Sequence, residues 1–527
     1  PRVQAPQSGL PTSPQPTAPP STSSVTDPFT CHVPQSFPYP SGVPYVGIHA
    51  GPGNNDLVPC SIATSFSQGW HALHGFGVAQ PNTFSPDGAT TYITTSRPTV
   101  DACTVHAVDV TTGQVKWCRP FGDGTIWSAV EVDVDGNLFF ASGTSIVSLD
   151  PQGQDRWVIP APSHAFGDNG AVGLHFTPDG HIATVTNHGT AMLIRRSDGL
   201  VLATLDLPSA LGFNVLPPAE DGINLLDVLP GPVIEDFAQL QQGDPSTLLD
   251  VFSGTGNFSD NTVAVAPNGD IYVVGAGPKP ATSAVIQIRV DGTPEAPVLS
   301  AGWYGQLTEK SASSPALSPD GSTLKVADGN SLPNFLYPEN ADANMRLFDI
   351  AACNANTDAD PAPEVCLAPR SIPLATGPIM GTTPLLDNGI HYVYETQFSE
   401  LLEDESMDLR AFDGDVLLWE TRLPDGLQWS SVITVTQDYL VGTATRFTGS
   451  STAVMTVELP AVANSELVLV DRHTGAVTFR APVTDDSTST VTVGPDGSLY
   501  VTMFTLLHML AIDTHPVGGV IKFSPQG

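Results

Sequence analysis

Three histidines and one run of alternating oxygen donors are the residues whose types and spacing could do chemistry in this chain. His71 and His74 stand just ahead of the first inner strand and His164 ahead of the third, so all three are placed to approach a central axis. Imidazoles gathered there would hold a transition metal or serve as a base in a lyase or hydrolase. On an extended strand, however, an offset of three puts His71 and His74 on opposite faces, and histidines satisfied by hydrogen bonds or water are the preferred reading. Asp133, Asp135 and Asn137 offer oxygens at alternate positions, as calcium loops do, but no distal glutamate closes the set and a plain hairpin turn accounts for the run. The Gly-x-Ser-x-Gly, His-Glu-x-x-His and phosphate-cradling glycine signatures do not occur.

The elements that would position these groups are written in a repeat. Asp109 leads to Gly113 and Trp117, Asp150 to Gly153 and Trp157, Asp471 to Gly475 and Phe479, and Asp513 to Gly519 and Phe523. In each copy the aromatic residue follows the glycine by four. Gly414 to Trp419 is stretched by one. Upstream of each copy lies a tight polar turn between short apolar runs, as at Asp87-Gly88, Asp179-Gly180, Asp320-Gly321 and Asp496-Gly497. Asn, Asp and Gly tolerate the backbone of tight reversals, and the flanking runs are β-branched or aromatic and too short for helices. The spacing predicts an all-β chain, an eight-bladed β-propeller of four-stranded antiparallel blades, with seven blades as the smaller alternative.

The stretch Ala107-Val108-Asp109-Val110-Thr111-Thr112-Gly113-Gln114-Val115-Lys116-Trp117 resembles the repeat of the pyrroloquinoline-quinone-like (PQQ-like) propellers, and the likeness in pattern runs over 70–527. The resemblance implies that Trp117, Trp157, Trp419, Phe479 and Phe523 dock between neighbouring blades. It implies less about chemistry, because the family holds both quinone-dependent dehydrogenases and non-catalytic scaffolds. A dehydrogenase of that kind needs a calcium ion, a carboxylate base, an arginine near the quinone and an aromatic platform. Trp70, Trp127, Trp303 and Trp429 are the candidate platforms, Asp168 and Asn169 the candidate oxygen donors, and Arg195 or Arg446 the candidate cation. Nothing in the sequence groups them, and the vicinal cysteine pair of the family's alcohol dehydrogenases is absent.

With 19 basic against 54 acidic residues, the formal charge of -35 repels phosphate backbones and anionic lipid, so nucleic acid is excluded as a main partner. Solubility in a salty or extracellular setting accounts for the acidity. Six cysteines fall into sequence-local pairs, Cys31 with Cys60, Cys103 with Cys118 and Cys353 with Cys366, which predicts disulfides and an oxidising compartment. Residues 1–30, rich in Pro, Ser and Thr, read as a disordered tether of the kind that follows a signal or lipoprotein cleavage site, leaving room for an N-terminal lipid or cell-surface attachment. No apolar run is long enough to span a bilayer.

Residues 31–69 read as a disulfide-closed segment, with 45–48 or 62–66 as the strand that closes the ring, and 70–527 as the propeller, interrupted at 208–256 by a stretch that does not repeat. The expected function is a secreted, periplasmic or surface-tethered binding or scaffold module for a protein or glycan ligand at a propeller face. The alternative is a quinone- and calcium-dependent oxidoreductase of a small alcohol or sugar; a channel-metal lyase or hydrolase is the second alternative. Calcium is the one cofactor that also suits the scaffold reading, and PQQ enters only with the dehydrogenase.

Overall fold

The computed structural model describes residues 29, 31, 37–95, 103–121, 128–163, 169–171, 173–213, 258–259, 261–279, 282–308, 311, 313–329, 344–355, 365–366, 370–373, 386, 389–394, 408–454, 457–487, 489–503 and 517–526. Eight antiparallel sheets follow one another along the chain. The first strand, β1 (Phe66–Ala72), belongs to the last of them. Blade 1 is β2 (Thr83–Phe84), β3 (Thr90–Thr94), β4 (Val105–Asp109) and β5 (Val115–Arg119); blade 2 is β6 (Glu131–Val132), β7 (Leu138–Ser142), β8 (Ser145–Leu149) and β9 (Asp155–Pro160). Blade 3 is β10 (His175–Phe176), β11 (His181–Val185), β12 (Thr190–Arg195) and β13 (Val201–Asp206), closed by the short helix α1 (Leu207–Leu211). Blade 4 is β14 (Ala264–Val265), β15 (Ile271–Ala276), β16 (Ser283–Thr293) and β17 (Ala296–Gln306). Blade 5 is β18 (Ala316–Leu317), β19 (Thr323–Asp328), β20 (Asn344–Asp349) and β21 (Arg370–Pro373), with α2 (Ile350–Ala355) between the last two. Blade 6 has three described strands, β22 (Ile390–Tyr394), β23 (Asp408–Asp413) and β24 (Val416–Arg422).

In blade 7 the innermost strand is broken into β25 (Gln428–Trp429) and β26 (Thr434–Val435), both paired with β27 (Tyr439–Val454), which continues to β28 (Val457–Asp471) and β29 (Val477–Val483). Blade 8 is β30 (Thr492–Val493), β31 (Leu499–Met503) and β32 (Gly519–Pro525), with β1 as its outer strand. The ring is therefore closed by Phe66–Ala72 rather than by 45–48 or 62–66; of those residues Phe66 alone takes part, opposite Pro525. The short first strands of neighbouring blades approach one another, which puts them around the axis. The middle strands are buried almost throughout, as Leu138–Ser142 shows, because each lies between two blades and has apolar neighbours on both faces.

The repeat has a physical cause at both ends of its motif. The Asp109 carboxylate accepts the backbone N–H groups of Thr111 and Thr112, and Asp150 does the same for Gln152 and Gln154, tying the turn between the two outer strands. Gly153 closes its turn at φ 78° with no Cβ, and the ring of Trp117 from the preceding blade lies against it. Trp117 also donates its indole N–H to the Pro151 carbonyl at 3.1 Å. Trp157 reaches Arg196 O and Trp419 reaches Arg472 O in the same way, each across to the next blade. Phe479 meets Phe66 edge-on at 5.8 Å.

Phe523 departs from the pattern, since it is buried on the third strand of blade 8. The outer-strand ring of that blade is Trp70, which donates to Val110 O and covers Gly113. The three disulfides join Cys31 to Cys60, Cys103 to Cys118 and Cys353 to Cys366. The second ties the approach to β4 to the outer strand β5. No helix among the described residues is long and apolar enough to cross a membrane.

Candidate functional site

The two faces of the ring differ. On one, tight turns join the first strand of a blade to the second and the third to the fourth. On the other run the connections from second to third strand and from blade to blade; of the non-repeating stretch, 214–256 lies outside the described residues.

At the tight-turn face the axis is filled by the chain itself. Residues 45–58 circle it as a hub, taking backbone N–H groups from the last residue of the innermost strands in blade order. Phe84 of blade 1 donates to Tyr45 O at 3.0 Å, Val132 of blade 2 to Val46 O at 2.7 Å, Val265 of blade 4 to Pro52 O at 2.7 Å, Leu317 of blade 5 to Gly53 O at 2.7 Å and Val435 of blade 7 to Asp56 O at 3.0 Å. Blade 3 is reached by side chains: His175 Nε2 lies 2.7 Å from Asn54 Oδ1, and Tyr39 Oη accepts the Phe176 N–H. Two buried histidine–carboxylate contacts hold the hub, His49 with Asp56 at 2.8 Å and His175 with Glu131 at 3.1 Å. Burial pushes the Tyr39 and Tyr45 hydroxyls well above the ordinary tyrosine value, with the Glu131 and Asp56 charges adding to it.

At the opposite mouth, the connection from blade 7 to blade 8 places Asp485 and Asp486 side by side, both buried. The Asp486 carboxylate accepts the hydroxyl of Thr445 and the N–H of Ser487, and the Thr445 hydroxyl lies within hydrogen-bond distance of Ser465 and Ser430. Burial nonetheless pushes the Asp486 carboxyl up to about 6, with Asp485 adding to the rise. Asp485 accepts the N–H groups of Asp486 at 2.9 Å and of Gly518 at 3.2 Å. His71 Nε2 sits 2.9 Å from the carbonyl of the same Gly518, and the His74 ring lies 3.6 Å from that of His71. The two histidines do meet, but at the end of β1, the outermost strand of blade 8, and not at the central axis where their position in the sequence had placed them. The strand ends at Ala72 and the backbone turns at Leu73 with φ 58°, so the alternation of a continued strand does not apply.

The other candidates are dispersed. His164, Trp127 and Asp168 lie outside the described residues. Asp133 accepts the N–H groups of Asp135 and Asn137, takes the Asn137 amide and pairs with Arg196 of the next blade, so its oxygens serve a hairpin turn. Trp70 and Trp303 bridge blades, the latter to Asn354 in α2, and Trp429 donates to Ser431 O inside blade 7. Asn169 holds Pro162 O and the His188 N–H. Arg195 pairs with Asp198 at the surface, and Arg446 is exposed on β27. Among the described residues no group of three or more His, Cys, Asp or Glu is arranged to hold a metal ion. Sequence reasoning missed Asp485, Asp486, Glu131, Asp56 and His175; the one local signal was the adjacent Asp485-Asp486 pair opening a run of hydroxyl residues.

No family model and no curated protein matches the chain. Solved structures do. The fold is similar to a quinohemoprotein alcohol dehydrogenase from Comamonas testosteroni, at TM-score 0.56 and 11% identity over 92% of this chain and 81% of that one. A quinohemoprotein alcohol dehydrogenase from Pseudomonas putida HK5 aligns at 0.55 and 12% over 92% and 80%, and a europium-containing methanol dehydrogenase at 0.55 and 13% over 92% and 98%. At such identities the likeness is one of fold alone, that of an eight-bladed propeller.

Proposed function

We propose that this chain is an oxidoreductase acting on a small alcohol or sugar at the long-connection mouth, with Asp486 as the group that takes the hydroxyl proton. The observation that carries the reading is a buried carboxyl held near 6 inside a network of hydroxyls, on the long-connection face opposite the hub. A base poised near neutrality suits proton abstraction, and Ser and Thr hydroxyls suit a hydroxylated substrate. The fold shared with alcohol and methanol dehydrogenases supports the same class. Three disulfides support a periplasmic or extracellular setting.

A quinone with its calcium ion would accept the hydride or electron pair in such a reaction. The described residues do not fit that group by themselves: the carboxylates of the mouth are already taken by N–H and O–H donors, and the tryptophans suited to a platform are engaged between or within blades. No step is therefore routed through it. What the residues of this chain supply is the base, its desolvated surroundings and the neighbouring charge of Asp485.

The test is oxidation of a panel of alcohols and sugars by the purified chain with an electron-accepting dye, with and without added PQQ and calcium, followed by reduction of the dye. Turnover that Asp486→Asn abolishes while the fold is kept is the expected result. Absence of turnover and of cofactor uptake by a folded protein would overturn the reading. A second reading, a binding module for a protein or glycan, draws support from the hub, which turns the axis into a solid core, and from the dispersal of the metal and quinone candidates.

A further inference from the structure

The ring closes where the candidate site lies, and the residues that hold the closure titrate. Gly518 immediately precedes β32, the strand on which the N-terminal β1 is zipped. Its N–H is taken by Asp485 from the connection after blade 7, and its carbonyl by His71 from β1. Three stretches of chain thus meet on one residue. His71 is half-buried, and the ring of the exposed His74 lies tilted against it at 3.6 Å, too close for two positive rings to rest side by side.

We propose that His71 and His74 form an acid-sensitive latch on ring closure, which loosens β1 from β32 when both rings are charged. The latch does not rest on the oxidoreductase reading. Among the described residues, the titratable groups set against the His71 ring are His74 beyond the end of β1 and Asp485 from the blade 7 connection, with Asp486 next to the latter; the start of β32 presents the Gly518 backbone. Burial first, and then a charge on His74, hold His71 below the ordinary value of 6.5, against the Gly518 carbonyl and Asp485, which raise it. A folded-state value below the unfolded one means that the closed form is favoured above about 6.5 and loses that advantage as the pH falls below it.

Hydrogen exchange of the full-length protein, followed by mass spectrometry at about pH 7.5 and about pH 5 and corrected for intrinsic rates, tests the latch. Amides of 66–72 and 519–523 should exchange about tenfold faster at the lower pH than the correction allows, while the hub and the inner strands keep their protection. In His74→Gln, an exposed change that leaves the His71 bond in place, the added exchange should vanish. Equal responses in the two proteins, or none in either, would overturn the latch. Turnover that depends on Asp486 in a protein without the acid response would leave the oxidoreductase reading standing alone; the acid response in a protein without turnover would do the reverse.

Discussion

The indole of Trp117 occupies the space in which a side chain on Gly153 would begin, with a hypothetical Cβ standing 3.0 Å from its ring carbons. One glycine thus answers two demands, a backbone at φ 78° and a flat landing for the ring of the blade before it.

These demands can be separated. Gly269 also turns with positive φ, at 95°, but has open space where its Cβ would point. Gly269→Ala should cost about 1 kcal/mol for the backbone alone, and Gly153→Ala about 1–3 kcal/mol more, because the ring must move as well. Urea denaturation of both variants measures the difference. Equal costs would show that ring docking adds nothing to the choice of glycine.

The hub should behave as a keystone. Asp56→Ala leaves the buried His49 ring without its hydrogen-bond partner and should cost about 1–3 kcal/mol. Gly47→Ala tests the same packing by another route. Its backbone is extended, at φ -164°, so any residue could adopt it, yet a Cβ would meet the Glu131 carboxylate 2.1 Å away. Both variants should lower the denaturation midpoint, and loss of protection at Phe84, Val132 and Val265 in hydrogen exchange would place the damage at the axis.

The disulfide between Cys103 and Cys118 encloses a separation of 15 residues. Replacing both cysteines by serine should lower stability by about 3 kcal/mol through freedom regained by the unfolded chain. Native-like circular dichroism with a reduced melting temperature is the expected outcome, because the β4 to β5 ladder supplies its own hydrogen bonds.

What the sequence made legible was whatever depends on near neighbours. A turn such as Asp109 to Gly113 writes its chemistry within five residues, so the blades and their approximate number could be read directly. The closing blade was misread because its ring sits on a strand from the other end of the chain, so that Phe523 stood in for Trp70. The hub left no trace, since its partners are backbone N–H groups, which no side-chain pattern encodes. Asp486 looked like any surface acid. Its burial is decided by Thr445, Ser430 and the packing of two blades, 41 or more positions away.

That burial makes Asp486 the source of a defined pH dependence. Its carboxyl is raised from the ordinary 3.8 to about 6, with desolvation the main cause and Asp485 adding to it. A raised value means that the folded protein holds the proton more tightly than the unfolded chain does. The protonated acid therefore supports the fold below about 4, and that support is lost as the pH climbs through 6, at a cost of about 3 kcal/mol. Asp486→Asn, which cannot ionise and keeps an oxygen to accept from Thr445, should flatten this slope and be more stable than the parent above about pH 6. Urea midpoints recorded at about pH 4.5 and about pH 7 separate the cases, since His71 acts with the opposite sign and is common to both proteins. A parent whose stability between those points matches the dependence of Asp486→Asn would mean that the carboxyl is ionised in the folded protein at pH 4.5, and it would remove the poised base from the mouth.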